Sequence, residues 1–518
     1  MDQSATPLLD ALEHCATRSN AAFYTPGHKR GQGISPLHQD LFGSKVFQAD
    51  LPELPELDNL FVPEGVIQQA QTLAAAAFKA DRTWFLTNGS TGGIEAAILA
   101  TCGPGDKLIL PRNVHSSALS GLILSGATPV YIEPDYSKDW DIPISVSPQT
   151  VEQAIARHPT AKAVLLVSPT YQGICSDIRA IASIAHSRNI PLLIDEAHGP
   201  HFAFHPNLPS PALEAGADLA VQSAHKVLSA FTQSALLHIK GDRLHRNRLT
   251  KSLQLVQSTS PSYLLLGSLD AARHQMATDG QRLMQRTIKL ADRAVLELSQ
   301  LPGIRVLQPT REVGELSGDR TRLTIDVSPL KLTGFQADEI LHTQHHVTAE
   351  LPTLKHLTFI LSLGNTKQDI ESLIEGFKKL CDAQSRNLSD SQNQPSQKPS
   401  AAVRASEAAP KATASSKALP QPRQLPIQSD CTRPSVTPRQ AFLSPTRPLP
   451  LSQSPGYLCA ETITPYPPGI PLLLPGELIT QSAIARLQTL LAAGAIVTGS
   501  QDPQLKTILA IDPASLTP

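Results

Sequence analysis

Three things are scarce in this 518-residue chain: aromatic side chains at 4%, paired cysteines, and any surplus of charge. Lys and Arg number 44 against 45 Asp and Glu, a formal net charge of -1, so no overall field draws the chain to nucleic acid or to an anionic membrane. No apolar run reaches about 18 residues, so no membrane-spanning helix is expected. The six cysteines (15, 102, 175, 381, 431 and 459) are scattered without a CxxC pair. In a chain of this length they read as reduced, mostly buried thiols of a cytoplasmic protein. Met1-Asp2-Gln3-Ser4 is not a basic stretch leading into an apolar one, which argues against a secretory signal.

Proline, by contrast, is frequent at 44 residues. The organisation along the chain accounts for much of it. Residues 1–65 read as an N-terminal segment with a helix over Pro7–Thr17. Residues 66–300 alternate short apolar runs with helical stretches: strands at Thr83–Leu86, Leu108–Leu110, Pro129–Ile132, Ala163–Val167 and Leu192–Ile194, and helices at Val66–Ala80, Gly93–Thr101, Ile178–Ser187 and Leu269–Leu298. That alternation predicts an α/β domain with a mainly parallel sheet covered on both faces. Residues 301–383 read as a smaller α+β domain. From 384 to 454 the chain is rich in Ser, Pro, Gln and Ala with almost no apolar periodicity, and is expected to be a disordered linker. A C-terminal domain is expected over 455–518.

The chemistry lies at the ends of the predicted strands. The run Pro191-Leu-Leu-Ile-Asp195 delivers a carboxylate at a buried strand end, and Ser223-Ala224-His225-Lys226 holds an amine after the apolar Leu219-Ala-Val221. A lysine flanked by apolar residues loses solvation, which favours the free amine over the ammonium. Pyridoxal 5'-phosphate (PLP) enzymes need this pair: the lysine binds the cofactor aldehyde and the acid keeps the pyridine nitrogen protonated. Asn88-Gly89-Ser90-Thr91-Gly92-Gly93 opens a helix after a strand, where free N–H groups and hydroxyls suit a phosphate. An ordinary glycine turn would look the same in isolation. His115 after one strand and Ser168-Pro169-Thr170-Tyr171-Gln172-Gly173 after another converge on the same edge, where open α/β sheets bind ligands. Asp195-Glu196-Ala197-His198 also spells a helicase motif, but that reading requires a G-x-x-x-x-G-K-[ST] loop upstream, which is missing. His198, His201 and His205 invite a zinc site, yet Pro200 and Pro206 break any helix that would align them, and no metal is expected.

Taken together, Thr25-Pro26-Gly27-His28-Lys29, Asn88-Gly89-Ser90-Thr91, Arg112-Asn113-x-His115, Asp195-Glu196-Ala197-His198-Gly199, Ser223-x-His225-Lys226 and Ser258-Thr259-Ser260-Pro261-Ser262-Tyr263 resemble the Orn/Lys/Arg decarboxylases of the aminotransferase fold. Pro465-Tyr466-Pro-Pro-Gly469-Ile470-Pro471 resembles the C-terminal domain of that family. The likeness is to the short biosynthetic form, many members of which are arginine decarboxylases. It implies a PLP-dependent, fold type I large domain with a mainly parallel seven-stranded sheet, a small α+β domain, and a homodimer whose active site lies at the subunit interface. It further implies that Ser90, Thr91, Ser223 and His225 hold the PLP phosphate and His115 stacks on the ring. Asp195 would pair with the ring nitrogen, Ala197 would pack on the other ring face, and Lys226 would carry the cofactor. Thr259 and Ser260 would reach the phosphate of the neighbouring subunit. Ala224 stands where Thr is usual and Phe61 where His is common, which leaves the substrate side less defined than the cofactor side.

The expected reaction is decarboxylation of a basic amino acid, with Lys226 or His198 returning the proton. L-arginine to agmatine is the first expectation, lysine to cadaverine or ornithine decarboxylation the alternatives. Glu461, and after it Asp58, are the candidate acids for the cationic substrate side chain. A catalytically silent relative that binds a partner protein, or a transaminase, would be the readings from other classes. The intact Asp195 and Lys226 oppose the first, and product analysis separates the second.

Overall fold

The computed structural model describes residues 1–308, 318–392, 436–466, 471–492 and 494–512. The large domain is built on strands β1 (Arg82–Leu86), β2 (Lys107–Pro111), β3 (Thr128–Ile132), β6 (Ala163–Val167), β7 (Leu192–Asp195), β8 (Leu219–Gln222) and β9 (Ala235–Ile239), with a small hairpin of β4 (Tyr136–Ser137) and β5 (Ile142–Pro143) to the side. The seven strands are ordered β1-β9-β8-β7-β6-β2-β3. From β3 to β8 all neighbours are parallel, whereas β9 runs antiparallel to both β8 and β1. β1 therefore points the same way as the parallel set, and the carboxyl ends of β1, β2, β6, β7 and β8 open on one edge.

The strands are short continuous apolar runs because both faces are covered. β7 and β8 are buried at every position. On one face, Ile94, Ile98, Leu119, Leu122, Leu249 and Leu253 pack on Leu86, Leu110, Leu193 and Leu237. On the other, Val151, Ile155, Ile178 and Ile181 pack on Ile109, Val164, Leu192 and Ile194. The helix Gly89–Thr101 lies hard against the sheet: a Cβ at Gly93 would sit 2.6 Å from Val221 Cγ1 and 2.7 Å from Leu86 Cδ1. The N-terminal segment is not separate from this domain. Leu8 and Leu12 of the helix Pro7–Thr17 share a core with Ile67, Phe85, Leu266 and Met276.

In the small domain, the strands Arg305–Val306, Arg322–Asp326, His356–Ile360 and Leu351–Pro352 form an antiparallel sheet in that order. The helix Gly334–His345 begins with a reciprocal capping box between Thr333 and Gln336. A second helix runs Lys367–Gln392, past the expected boundary at 384.

The expected linker over 384–454 is contradicted at both ends. From residue 436 the described chain forms a helix Pro438–Leu443 and a strand Thr446–Pro450 that pairs with Thr507–Ile511. Pro438 stands in the first turn of its helix, where a missing N–H costs nothing, and Pro448 and Pro450 lie on a strand with one partner only, where a missing donor faces outward. Residues 393–435 lie outside the described residues. The C-terminal domain thus starts earlier than 455, with Cys459, Ile463, Ile479, Ile484, Leu487 and Ile508 in its core.

Candidate active site

Asp195 is the last residue of β7, and Ser223 follows β8 directly, so two adjacent parallel strands deliver the acid and the start of the lysine segment side by side. One helical turn, Ala224–Val227, then turns Lys226 back over the strand ends. Its Nζ lies 3.1 Å from Nε2 of His198 and 5.6 Å from the ring centre of Tyr171. The Tyr171 and His198 rings pack 4.6 Å apart at 57°. On the far side of His198, Arg322 Nη2 donates to Nδ1 at 3.1 Å.

Burial sets the electrostatics. It pushes the Lys226 ammonium below its ordinary value of 10.5; Asp195 opposes this and Arg322 adds to it. Burial also raises Asp195 above 3.8, against the pull of His115 and Lys226 and of the Ala197 N–H that donates to it at 3.2 Å. His198 is held well below 6.5 by burial and then by the charges of Lys226 and Arg322. His115 is lowered, chiefly by burial. Its Nδ1 accepts from the Ser117 N–H at 3.2 Å and so caps the helix Ser116–Ser125. The opposite ring nitrogen of His115 therefore carries its proton.

The phosphate side is equally defined. The helix Gly89–Thr101 begins four residues earlier than the glycines suggested, which puts Ser90 and Thr91 in its first turn. Asn88 precedes that turn without capping it and donates instead to the Val256 carbonyl at 3.0 Å. The Gly89 N–H donates to the Gln233 carbonyl at 2.9 Å, and the N–H groups of Ser90 and Thr91 are the ones left for an anion. Ser223 Oγ donates to Ser90 Oγ at 2.8 Å, so two of the expected phosphate contacts meet. His225 Nδ1 donates to the Ser234 carbonyl at 3.0 Å. Thr259 and Ser260 are exposed in the loop before the helix Tyr263–Leu298 and touch none of these groups within the chain. Ser168 and Thr170 use their hydroxyls within their own loop, accepting from the N–H groups of Ser176 and Ile174.

The two acids expected to meet the substrate are engaged elsewhere. Glu461 accepts from the N–H groups of Gln501 and Leu509, each at 2.8 Å, and from Ser500 Oγ at 3.3 Å, all within the C-terminal domain. Asp58 accepts from the N–H groups of Asn59, Glu64, Gly65, Ile67 and Gln68, and so caps a helix whose own N-cap, Gly65, has no side chain. The physical reason is the same for both: a carboxylate surrounded by free backbone donors becomes a structural acceptor. Asp195 acts most on Lys226 and Asp319 on Arg322; after them Glu350, from the small domain, acts on Lys226, Arg322 and His225 alike. His201 and His205 turn to Asp319 and Gln285, so the three histidines near 200 go to different partners. Arg322 and Glu350 were missed in the sequence. The available signal was an arginine opening an apolar strand, Arg322-Leu-Thr-Ile-Asp326, which has to find a buried partner.

Comparison with known proteins gives the family. Residues 6–317 match the Orn/Lys/Arg decarboxylase major domain, and residues 424–498 match the C-terminal domain of the same family. The arginine decarboxylase of Bacillus subtilis (strain 168) is 36% identical over 99% of both chains. Lysine decarboxylase LdcA of Pseudomonas aeruginosa is 27% identical, covering 92% of this chain and 74% of its own length. Among solved structures, the constitutive lysine decarboxylase of E. coli superposes with a TM-score of 0.78 at 20% identity, over 99% of this chain and 82% of that one. The chain belongs to the Orn/Lys/Arg decarboxylase family and is an amino-acid decarboxylase with the expected fold type I architecture.

That family implies PLP, and the residues present fit it. A half-buried amine biased toward its neutral form suits an aldehyde, an acid raised by burial suits a pyridinium, and an uncapped helix start beside Ser90 and Ser223 suits a phosphate.

Proposed function

We propose that the protein removes the α-carboxylate of L-arginine to give agmatine and CO2, with PLP held by Lys226. The observation that carries this is the half-buried Lys226 Nζ, 3.1 Å from His198 and under the charge of Asp195 at the carboxyl edge of the sheet. When bound, PLP supplies an electron sink for the pair left behind by CO2. Asp195 would keep that sink cationic, because a pyridinium beside it would offset the burial that raises it. Ser90, Thr91, Ser223 and His225 would anchor the phosphate, His115 and Ala197 would hold the ring, and Lys226 Nζ or the His198 Nε2–H beside it would return the proton to the substrate. Burial excludes water from the substrate carboxylate and so favours its loss.

Arginine is preferred over lysine because the relative that is 36% identical and spans 99% of both chains is an arginine decarboxylase, whereas the lysine enzyme is 27% identical. Glu350 is the acid we assign to the cationic end of the substrate, in place of Glu461 and Asp58. Thr259 and Ser260, exposed on the single chain, are assigned to the phosphate of a partner subunit in a homodimer.

The test is to incubate purified protein and PLP with arginine, lysine or ornithine and identify the amine and the CO2 formed. Agmatine is expected, with Lys226→Ala reduced to background and without the visible band of the lysine-bound cofactor. Glu350→Gln is expected to raise KM for arginine several-fold (about 1 kcal/mol of charge attraction) with little change in kcat. Cadaverine or putrescine as the sole product would refute the substrate assignment. A keto acid would refute the reaction.

A further inference from the structure

Arg322 belongs to the small domain, yet its guanidinium ends in the large-domain site. Its side chain is 0% exposed. Nη2 donates both to His198 Nδ1 at 3.1 Å and to the His198 backbone carbonyl at 3.3 Å. From behind, Asp319 Oδ2 faces its Nε at 4.0 Å, and Asp319 is itself fixed by the Thr321 N–H at 2.9 Å and by His201 at 3.2 Å. Room for the arginine comes from Gly173, in the loop after β6. Its φ is +84°, and a Cβ there would fall 2.7 Å from Arg322 Cβ and 2.8 Å from Cγ.

A guanidinium carries donors only and does not lose its proton in a protein. His198 Nδ1 must therefore accept, which puts the one proton of the neutral ring on Nε2. Nε2 is the atom 3.1 Å from Lys226 Nζ. An ammonium at that distance would set two donors face to face, whereas a free amine offers its lone pair to the N–H. We infer that Arg322 is a positioning residue: by fixing His198 as the Nε2–H tautomer, it holds the Lys226 amine unprotonated and ready to bond. The inference rests on Lys226 being the reactive amine.

The surroundings act in the same sense. Of the groups facing Lys226 from the elements around it, Arg322 opposes an ammonium, while Asp195 and Glu350 favour one, and burial outweighs all three. His198 meets Lys226, Arg322, His115 and His201, all of which oppose an imidazolium, and the ring of Tyr171.

The first test needs neither substrate nor cofactor. Full-length protein labelled with nitrogen-15 at histidine is examined by NMR at pH 7.5 (a value of about neutral, where carboxylates are ionised), and the His198 signals are assigned by their loss in His198→Gln. A protonated Nε2 and a bare Nδ1 are expected. The Nδ1–H tautomer or an imidazolium would overturn the inference. The second test follows the pH dependence of Lys226 labelling by an amine reagent, read by peptide mass spectrometry on the cofactor-free chain. Arg322→Gln is expected to lower the free-amine fraction about tenfold at neutral pH, one unit of protonation equilibrium, and Arg322→Lys to restore most of it. In a His198→Phe background the Arg322→Gln effect should shrink several-fold, because the route through the ring is gone. Equal effects in both backgrounds would mean that Arg322 acts by charge alone and would overturn the tautomer role. If Arg322→Gln fails to fold, the NMR result on the unsubstituted chain decides. A wrong tautomer would leave the decarboxylase reading standing, and failure to release CO2 would leave the tautomer standing.

Discussion

Two regions of this molecule bury acids, and they treat them differently. In the C-terminal domain Glu461 has three donors, and Glu477 has the Arg112 guanidinium at 2.8 Å and the Leu474 N–H at 3.0 Å. At the carboxyl edge of the large sheet, burial raises Asp195 despite His115, Lys226 and one backbone donor, and behind it Arg322 Nε, Arg322 Nη1, His201 Nδ1 and Asp319 Oδ2 lack hydrogen-bond partners among the described residues. The first arrangement spends its polar groups on holding the fold together. The second keeps polar groups short of partners, which is costly in a folded chain and makes sense where a ligand or a reacting group completes them.

Substitutions can break that contrast. The largest effect is expected at the under-partnered acid: Asp195→Asn should lower kcat by about 100-fold or more, by analogy with losing one preorganised electrostatic contact, while the melting temperature changes little. Steady-state kinetics beside a thermal melt would separate the two. At the fully partnered acid the pattern should invert. Glu461→Gln leaves backbone donors facing an amide, and a loss of about 1–3 kcal/mol of stability is expected with kcat/KM for arginine unchanged. A selective loss of arginine turnover in a stable Glu461→Gln protein would return Glu461 to the substrate pocket.

Glu196 sharpens the comparison, since it neighbours Asp195 yet faces the other way. It accepts from the Ala212 N–H at 2.8 Å and the Gln222 amide at 2.7 Å, and burial still raises it from 4.5 to about 8. Its folded pKa lies above the unfolded one, so the stability it contributes is fully present below pH 4.5 and is lost as pH rises through about 8. Denaturant unfolding between those limits should show a downward slope that Glu196→Gln reduces. A slope unchanged by the substitution would mean that its two donors hold it ionised.

The sequence made the strand-end chemistry legible because those residues sit in short local patterns: an apolar strand ending in Asp195, a small-residue turn before a helix, a lysine just after an apolar run. Strand β9 went unnamed because His238 interrupts its apolar pattern. In the fold that histidine is neutral, pushed down to about 3 by burial, and bonded between Thr83 and Gln222. The helix start at Gly89 was placed late because Gly-rich segments have low helix propensity, which packing against the sheet overrides here. Nothing local distinguishes an acid awaiting a ligand from one already ringed by backbone N–H groups, which Glu461 is in the fold. Arg322 and Glu350 come from the small domain and join the site through tertiary packing, which no neighbouring residues in the sequence announce.

Gly173 has a consequence for divergence. Any side chain at that position would meet the carbons of Arg322, and no shorter residue at 322 would span the gap to His198 with the same donors. The pair behaves as lock and key cut from one blank. Drift at either position alone is damaging, so descendants of this chain should keep both or exchange both together, and a paired replacement would mark a lineage that has found another way to govern its lysine.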